Sequence, residues 1–188
     1  MGQTLEAIFE ESIRVKRAAL RQNKEAMLAA VNMLSAALKK NRKVIFFGNG
    51  GSAADSQHIA AEFIGRFQKE RKALAAIALT TDTSVLTALG NDYGFNILFS
   101  RQIEGIGQKG DVAFGISTSG NSANVIEGVK KARRLGLKTI SMTGNSGGKL
   151  AKLTEISLIV PAKNTARIQE SHICMAHAIC ELVENRFS

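Results

Sequence analysis

Val44-Ile45-Phe46-Phe47-Gly48-Asn49-Gly50-Gly51-Ser52-Ala53 passes within ten residues from an apolar run, through a glycine loop, to a helical pattern that continues to residue 67. So short a run without polar alternation fits a strand buried on both faces. Outward from it the pattern recurs, with apolar runs at 75–79, 112–116, 139–142 and 156–160, each separated from the next by a helical stretch. Strands alternating with helices predict an α/β fold: a three-layer α-β-α sandwich of flavodoxin-like type around a five-stranded parallel sheet, with right-handed crossovers.

Ahead of the sheet, residues 4–40 read as two helices, because Leu5, Ile8, Phe9 and Ile13, then Met27, Leu28, Val31, Leu34 and Leu38, recur at helical spacing. Residues 166–187 read as a long closing helix with Ile168, Ile173, Met175, Ala176, Ile179, Leu182 and Val183 at its apolar positions. A chain of 188 residues fits one domain. We read residues 1–188 as that domain, with 1–41 as a helical assembly element and 42–188 as the α/β core.

With 45% hydrophobic residues, 22% charged and a single proline, the composition excludes disordered and fibrous classes. No apolar run approaches the roughly 20 residues of a membrane span, and the N-terminus lacks a signal-peptide core, so a cytoplasmic location is expected. Cys174 and Cys180 lie six apart in a helical pattern, about 240° around the axis, which forbids a local bridge and suits a reducing compartment. The net charge of +9 invites a nucleic-acid reading. Much of the excess, however, falls at helix ends such as Lys39-Lys40-Asn41-Arg42-Lys43 and Lys130-Lys131-Ala132-Arg133-Arg134, without interleaved aromatics. Solvated helix termini account for it, and neither a nucleic-acid nor a membrane partner is expected.

In parallel sheets ligands sit beyond the carboxyl ends of the strands. Two loops there stand out. Gly48 to Ala53 lets backbone N–H groups approach an anion at a helix N-terminus. Ser117-Thr118-Ser119-Gly120-Asn121-Ser122 offers four hydroxyls to a phosphate. The same residues would also serve as a tight turn and a helix cap. The first loop fits G-x-G-x-x-G/A with Ala53 last, so a dinucleotide is a competing ligand, although that scheme leaves the hydroxyl loop idle. It is not a Walker A loop, since Lys-Ser/Thr is missing after the glycines.

On the helix leaving the glycine loop, His58, Glu62 and Arg66 are spaced i, i+4, i+8 and share one stripe. Apolar neighbours would partly bury a carboxylate there and raise its pKa, as a general base requires. The last helix carries Arg167, Gln169, Glu170, His172 and His177. Gln169 and His177 are separated by about 12 Å along the axis and 80° around it, so their long side chains can just converge; His172, about 140° from His177, serves something else.

These stretches, together with Ala78-Leu79-Thr80-Thr81-Asp82-Thr83-Ser84, Gly90-Asn91-Asp92-Tyr93-Gly94 and Thr165 through His177, closely resemble the bacterial phosphoheptose isomerases, a family of sugar isomerase (SIS) domain proteins. The likeness runs over nearly the whole chain, in several motifs in the same order. It implies an aldose-ketose isomerase acting on sedoheptulose 7-phosphate to give D-glycero-D-manno-heptose 7-phosphate, at the start of nucleotide-activated heptose supply for lipopolysaccharide or other surface glycans. It implies a homotetramer with active sites between subunits. By motif position, Glu62 is the general base and His177 its acid/base partner. Asn49, Gly50, Gly51, Ser52, Asn91, Asp92, Ser117, Thr118, Ser119, Ser122 and Gln169 are substrate contacts, and His58, Glu62, Gln169 and His177 are ligands for one zinc per subunit. Arg167 stands where some relatives carry an acidic residue. A different class resembles the same family: a non-catalytic scaffold that binds a replication initiator. Such a scaffold has no reason to keep Glu62 and His177, and both are present.

Overall fold

The computed structural model describes residues 4–188. The chain opens with α1 (Leu5–Lys39), one uninterrupted helix where two were expected. No glycine or proline interrupts that stretch, and Thr4 caps it by accepting from the Ala7 N–H at 3.2 Å. Asn23, a buried polar residue near its middle, does not break the helix. Its amide exchanges two hydrogen bonds with the backbone of Ile159, at 2.7 and 2.9 Å.

The core then alternates as expected: β1 (Val44–Gly48), α2 (Gly51–Ile64), β2 (Ala76–Ala78), α3 (Thr83–Tyr93), α4 (Leu98–Ile106), β3 (Val112–Ser117), α5 (Ala123–Arg134), β4 (Lys138–Gly144), β5 (Ile156–Val160) and α6 (Thr165–Glu184). The five strands are all parallel, in the order β2-β1-β3-β4-β5. Alternate side chains of β1 enter opposite halves of the core. Val44 and Phe46 face α1, α2 and α6, whereas Ile45 and Phe47 face α4 and α5. Strand order reverses between β1 and β3, so the crevice beyond their carboxyl ends is the switch point where a parallel sheet receives a ligand. The two loops singled out above border it.

α2 and α6 lie side by side and run in the same direction. Gln169 packs on Gly51 near their starts and His177 meets His58 further along. At their far ends the buried Glu184 carboxylate accepts the N–H groups of Phe67, Gln68 and Lys69 at 2.7–2.9 Å and pairs with Arg71 at 3.3 Å. Arg71 in turn donates to the carbonyls of Glu62, Phe63 and Gly65, closing the end of α2. Cys174 and Cys180 are both free thiols.

Candidate active site

The hydroxyl loop is a cup. Ser117 Oγ lies 2.9 Å from Ser122 Oγ and 3.4 Å from Ser119 Oγ, and Ser119 Oγ also accepts the Asn121 N–H at 3.1 Å. Ser122 occupies the N-cap position of α5, yet its side chain caps nothing. A hydroxyl that turns away from the helix end it could satisfy leaves that end open to an anion. Thr118 is half-buried in the same turn. Gly120, at φ +64°, is held against Gly147 and Gly148, where any Cβ would collide with the Gly147 carbonyl. The loop after β4 thus props the cup from behind, and nothing in its spacing marked it beforehand.

Beside the cup, Asn49 exchanges paired amide hydrogen bonds with Asn124 at 2.8 and 2.9 Å, tying the glycine loop to α5. The Asn49 side chain therefore joins the two loops. Asn124, the partner that completes the tie, carried no sequence signal. Gly50, at φ +54°, caps α2 without a side chain, and Gly51 follows it at the open helix terminus. Ser52 is buried beneath the loop against Gly48. Gln169 lies over Gly51 and so belongs to this end of the site.

The second cluster sits further along α2 and α6. His58 Nε2 is 3.1 Å from Glu62 Oε1 and 3.1 Å from His177 Nε2. Donor atoms of all three residues fall within 4.8 Å of one another. Phe67 flanks the His177 ring, with centroids 5.4 Å apart. Cys180 lies below; burial first and Glu62 second push its thiol up to about 12, which keeps it protonated. Arg66 falls beyond the end of α2 and reaches only Glu70, at 3.8 Å, so the expected third member of the stripe is absent. The structure brings together His58, Glu62 and His177, while the Gln169 side chain lies against Gly51. Gly51 and Glu62 are eleven residues apart in one helix, about 16 Å along its axis.

The donor set fits a zinc ion. A single hydrogen on His58 Nε2 can point at Glu62 or at His177, not at both, whereas one cation engages all three lone pairs. The two 3.1 Å separations from His58 Nε2 are also close to the edge of a tetrahedron with bonds near 2 Å.

Asp55, one turn before His58, was not singled out as a site residue. Burial pushes its carboxyl up to about 6 against the pull of His58, and its Oδ2 is buried without a hydrogen-bond partner. Asn91 and Asp92 stand exposed on α3, bonded to each other at 2.9 Å. Arg167 does not face the cup. It donates to the Ile8 carbonyl and to Glu170, both at 2.7 Å, and clasps the start of α1 to α6. His172 is buried against the Thr143 carbonyl at 3.0 Å, a core contact.

Comparison with known proteins identifies the family. The SIS domain matches residues 8–144, and the chain belongs to the SIS domain family. A phosphoheptose isomerase from Aquifex aeolicus is 55% identical over 98% of this chain and 96% of its own length. One from Neisseria meningitidis is 51% identical over 98% and 95%. Among solved structures, the phosphoheptose isomerase from Neisseria gonorrhoeae superposes with a TM-score of 0.91 at 48% identity, covering 96% of this chain and 97% of that one. The one from Francisella tularensis gives 0.93 at 36% identity, covering 96% of each. Within the family, the chain falls among the phosphoheptose isomerases.

Proposed function

We propose that the protein isomerises sedoheptulose 7-phosphate to D-glycero-D-manno-heptose 7-phosphate through an enediol. The observation that carries this reading is the meeting of Glu62 and His177, from two helices, at one imidazole. Moving a carbonyl from C2 to C1 requires a proton to leave C1 and a proton to return to C2, while a hydroxyl proton passes from O1 to O2. Glu62 takes the carbon-bound proton, and His177 serves the oxygens of the same two carbons. Ser117, Thr118, Ser119 and Ser122 hold the phosphate, with Gly50, Gly51 and Ser52 supplying the neighbouring loop and Gln169 the contact above Gly51. Binding energy gathered at the phosphate positions the reacting carbons.

His58, Glu62 and His177 would hold one zinc per subunit, and when bound it polarises the substrate carbonyl. Metal holding and proton transfer would compete at Glu62 and His177, and proton transfer is their first role.

The protein acts as a homotetramer with sites between subunits. The exposed apolar stripe of α1 supports this. α1, within residues 1–41 of a one-domain chain, is the assembly element: Leu5, Phe9, Ile13 and Leu20 expose 41–66% of their surface along it. Among the described residues no helix is long and apolar enough to cross a membrane. A cytoplasmic enzyme feeding heptose into lipopolysaccharide or another surface glycan fits this picture.

Incubation with sedoheptulose 7-phosphate in deuterated water tests the reading. Turnover with label at C2 is expected. Glu62→Gln and His177→Ala should each lower kcat by at least about 100-fold, with the circular dichroism spectrum unchanged. Absence of turnover in the unmodified protein, or variants as fast as it, overturns the mechanism.

A further inference from the structure

The connections that lead into the strands, at the pole opposite the cup, are crowded with cations: Lys39, Lys40, Arg42 and Lys43 before β1, Lys109 before β3, and Arg133, Arg134 and Lys138 before β4. The loops at the cup end carry only Lys149 and Lys163. Antiparallel placement of helices against parallel strands explains the segregation. It sends the C-terminus of each helix that leads directly into a strand to one pole, where basic side chains complement the helix dipoles.

At this pole a groove of about 690 Å³ opens between α1 and the turns before β3 and β4. Met33, Ala36 and Ala37 form one wall, and Lys40, Arg42, Lys109 and Lys138 form the rim. Among the described residues no carboxylate lines it. Lys138 reaches Glu155 at 2.9 Å outside the groove, and Arg42 reaches only the neutral Gln108, at 3.3 Å. Lys40 and Lys109 have no ion pair among the described residues. The Arg42 stem packs on Gly110 and the Lys109 stem on Gly136, two glycines with positive φ, so the backbone turns themselves seat these cations at the rim.

Like charges gathered around one concavity repel one another, and a multiply charged anion relieves that repulsion. The volume lies within the range of small-ligand sites, and the apolar wall offers a surface for a ring. Ala36 lies about 160° around α1 from Leu20, so assembly through the exposed apolar stripe leaves the groove open. We propose that this groove binds a nucleoside diphosphate, its phosphates on Arg42, Lys40 and Lys109 and its base against Met33 and Ala36, independently of the isomerase site.

Calorimetric titration of the full-length protein tests this with ADP, AMP, adenosine and inorganic tripolyphosphate, at low and at physiological salt. ADP should bind once per chain, more tightly than AMP and more weakly as salt rises, and adenosine should not bind. Arg42→Ala/Lys109→Ala should weaken ADP by about tenfold or more while isomerase turnover is unchanged, and Ser119→Ala should leave ADP affinity as it was. Failure of ADP to bind overturns the proposal. So does ADP binding that Ser119→Ala abolishes and the double variant does not, since the anion then occupies the cup. Tripolyphosphate binding as tightly as ADP removes the nucleoside from the ligand and overturns the proposal in that form.

Discussion

His172 shows what a single side chain in this core responds to. Burial lowers its pKa to about 4, with the Thr143 carbonyl pulling the other way. The folded chain resists protonating this ring, so the unfolded chain binds more protons between pH 6.5 and 4. Stability is full above pH 6.5 and declines as pH falls through that window, by about 3 kcal/mol in all. Urea denaturation at pH 7, 5.5 and 4.5 should show the decline, and His172→Gln, which keeps an N–H for Thr143, should flatten it. At the cup, Ser119→Ala removes one hydroxyl and should raise KM for the sugar phosphate roughly tenfold with little change in kcat, as a phosphate contact remote from the reacting carbons requires.

Two couplings between elements hold the site together. Gly120 passes the cup beneath the loop after β4, and Gly120→Ala should destabilise the fold by about 1–3 kcal/mol and weaken substrate binding, read by thermal melting and KM. The Glu184 latch joins the far ends of α2 and α6, the helices that carry Glu62 and His177. Burial alone would raise the Glu184 pKa, but three backbone N–H groups and Arg71 hold it below the usual carboxylate range. Glu184→Ala strands the buried Arg71 charge and should cost about 3–5 kcal/mol by chemical denaturation. α1 was expected as two helices because its apolar positions fall into two groups, Leu5 to Ile13 and Met27 to Leu38. The stretch between them stays helical, and the amide of Asn23 there satisfies the open edge of β5, a long-range contact that periodicity cannot carry.

Across the whole molecule, the sheet order sets one pole for sugar-phosphate chemistry and the other for cations. Assembly through α1 should be lost in Phe9→Asp/Ile13→Asp, giving a monomer by analytical ultracentrifugation that keeps its helical signal and loses turnover. Chelation followed by zinc titration should report one ion per chain by metal analysis, and His58→Ala should abolish that binding while cup variants retain it.

The amino-acid sequence determined the α/β alternation, the five strands, the two ligand loops and the shared stripe of His58 and Glu62, because apolar period, glycine placement and helical spacing are local properties, whereas the joining of His177 to that pair was implied only by the family resemblance. Only the tertiary structure decided that Gln169 lies against Gly51, that Arg66 leaves the stripe, and that Asn49 is tied to Asn124. Each depends on where a helix ends or which neighbour it meets, and packing between distant segments sets those outcomes.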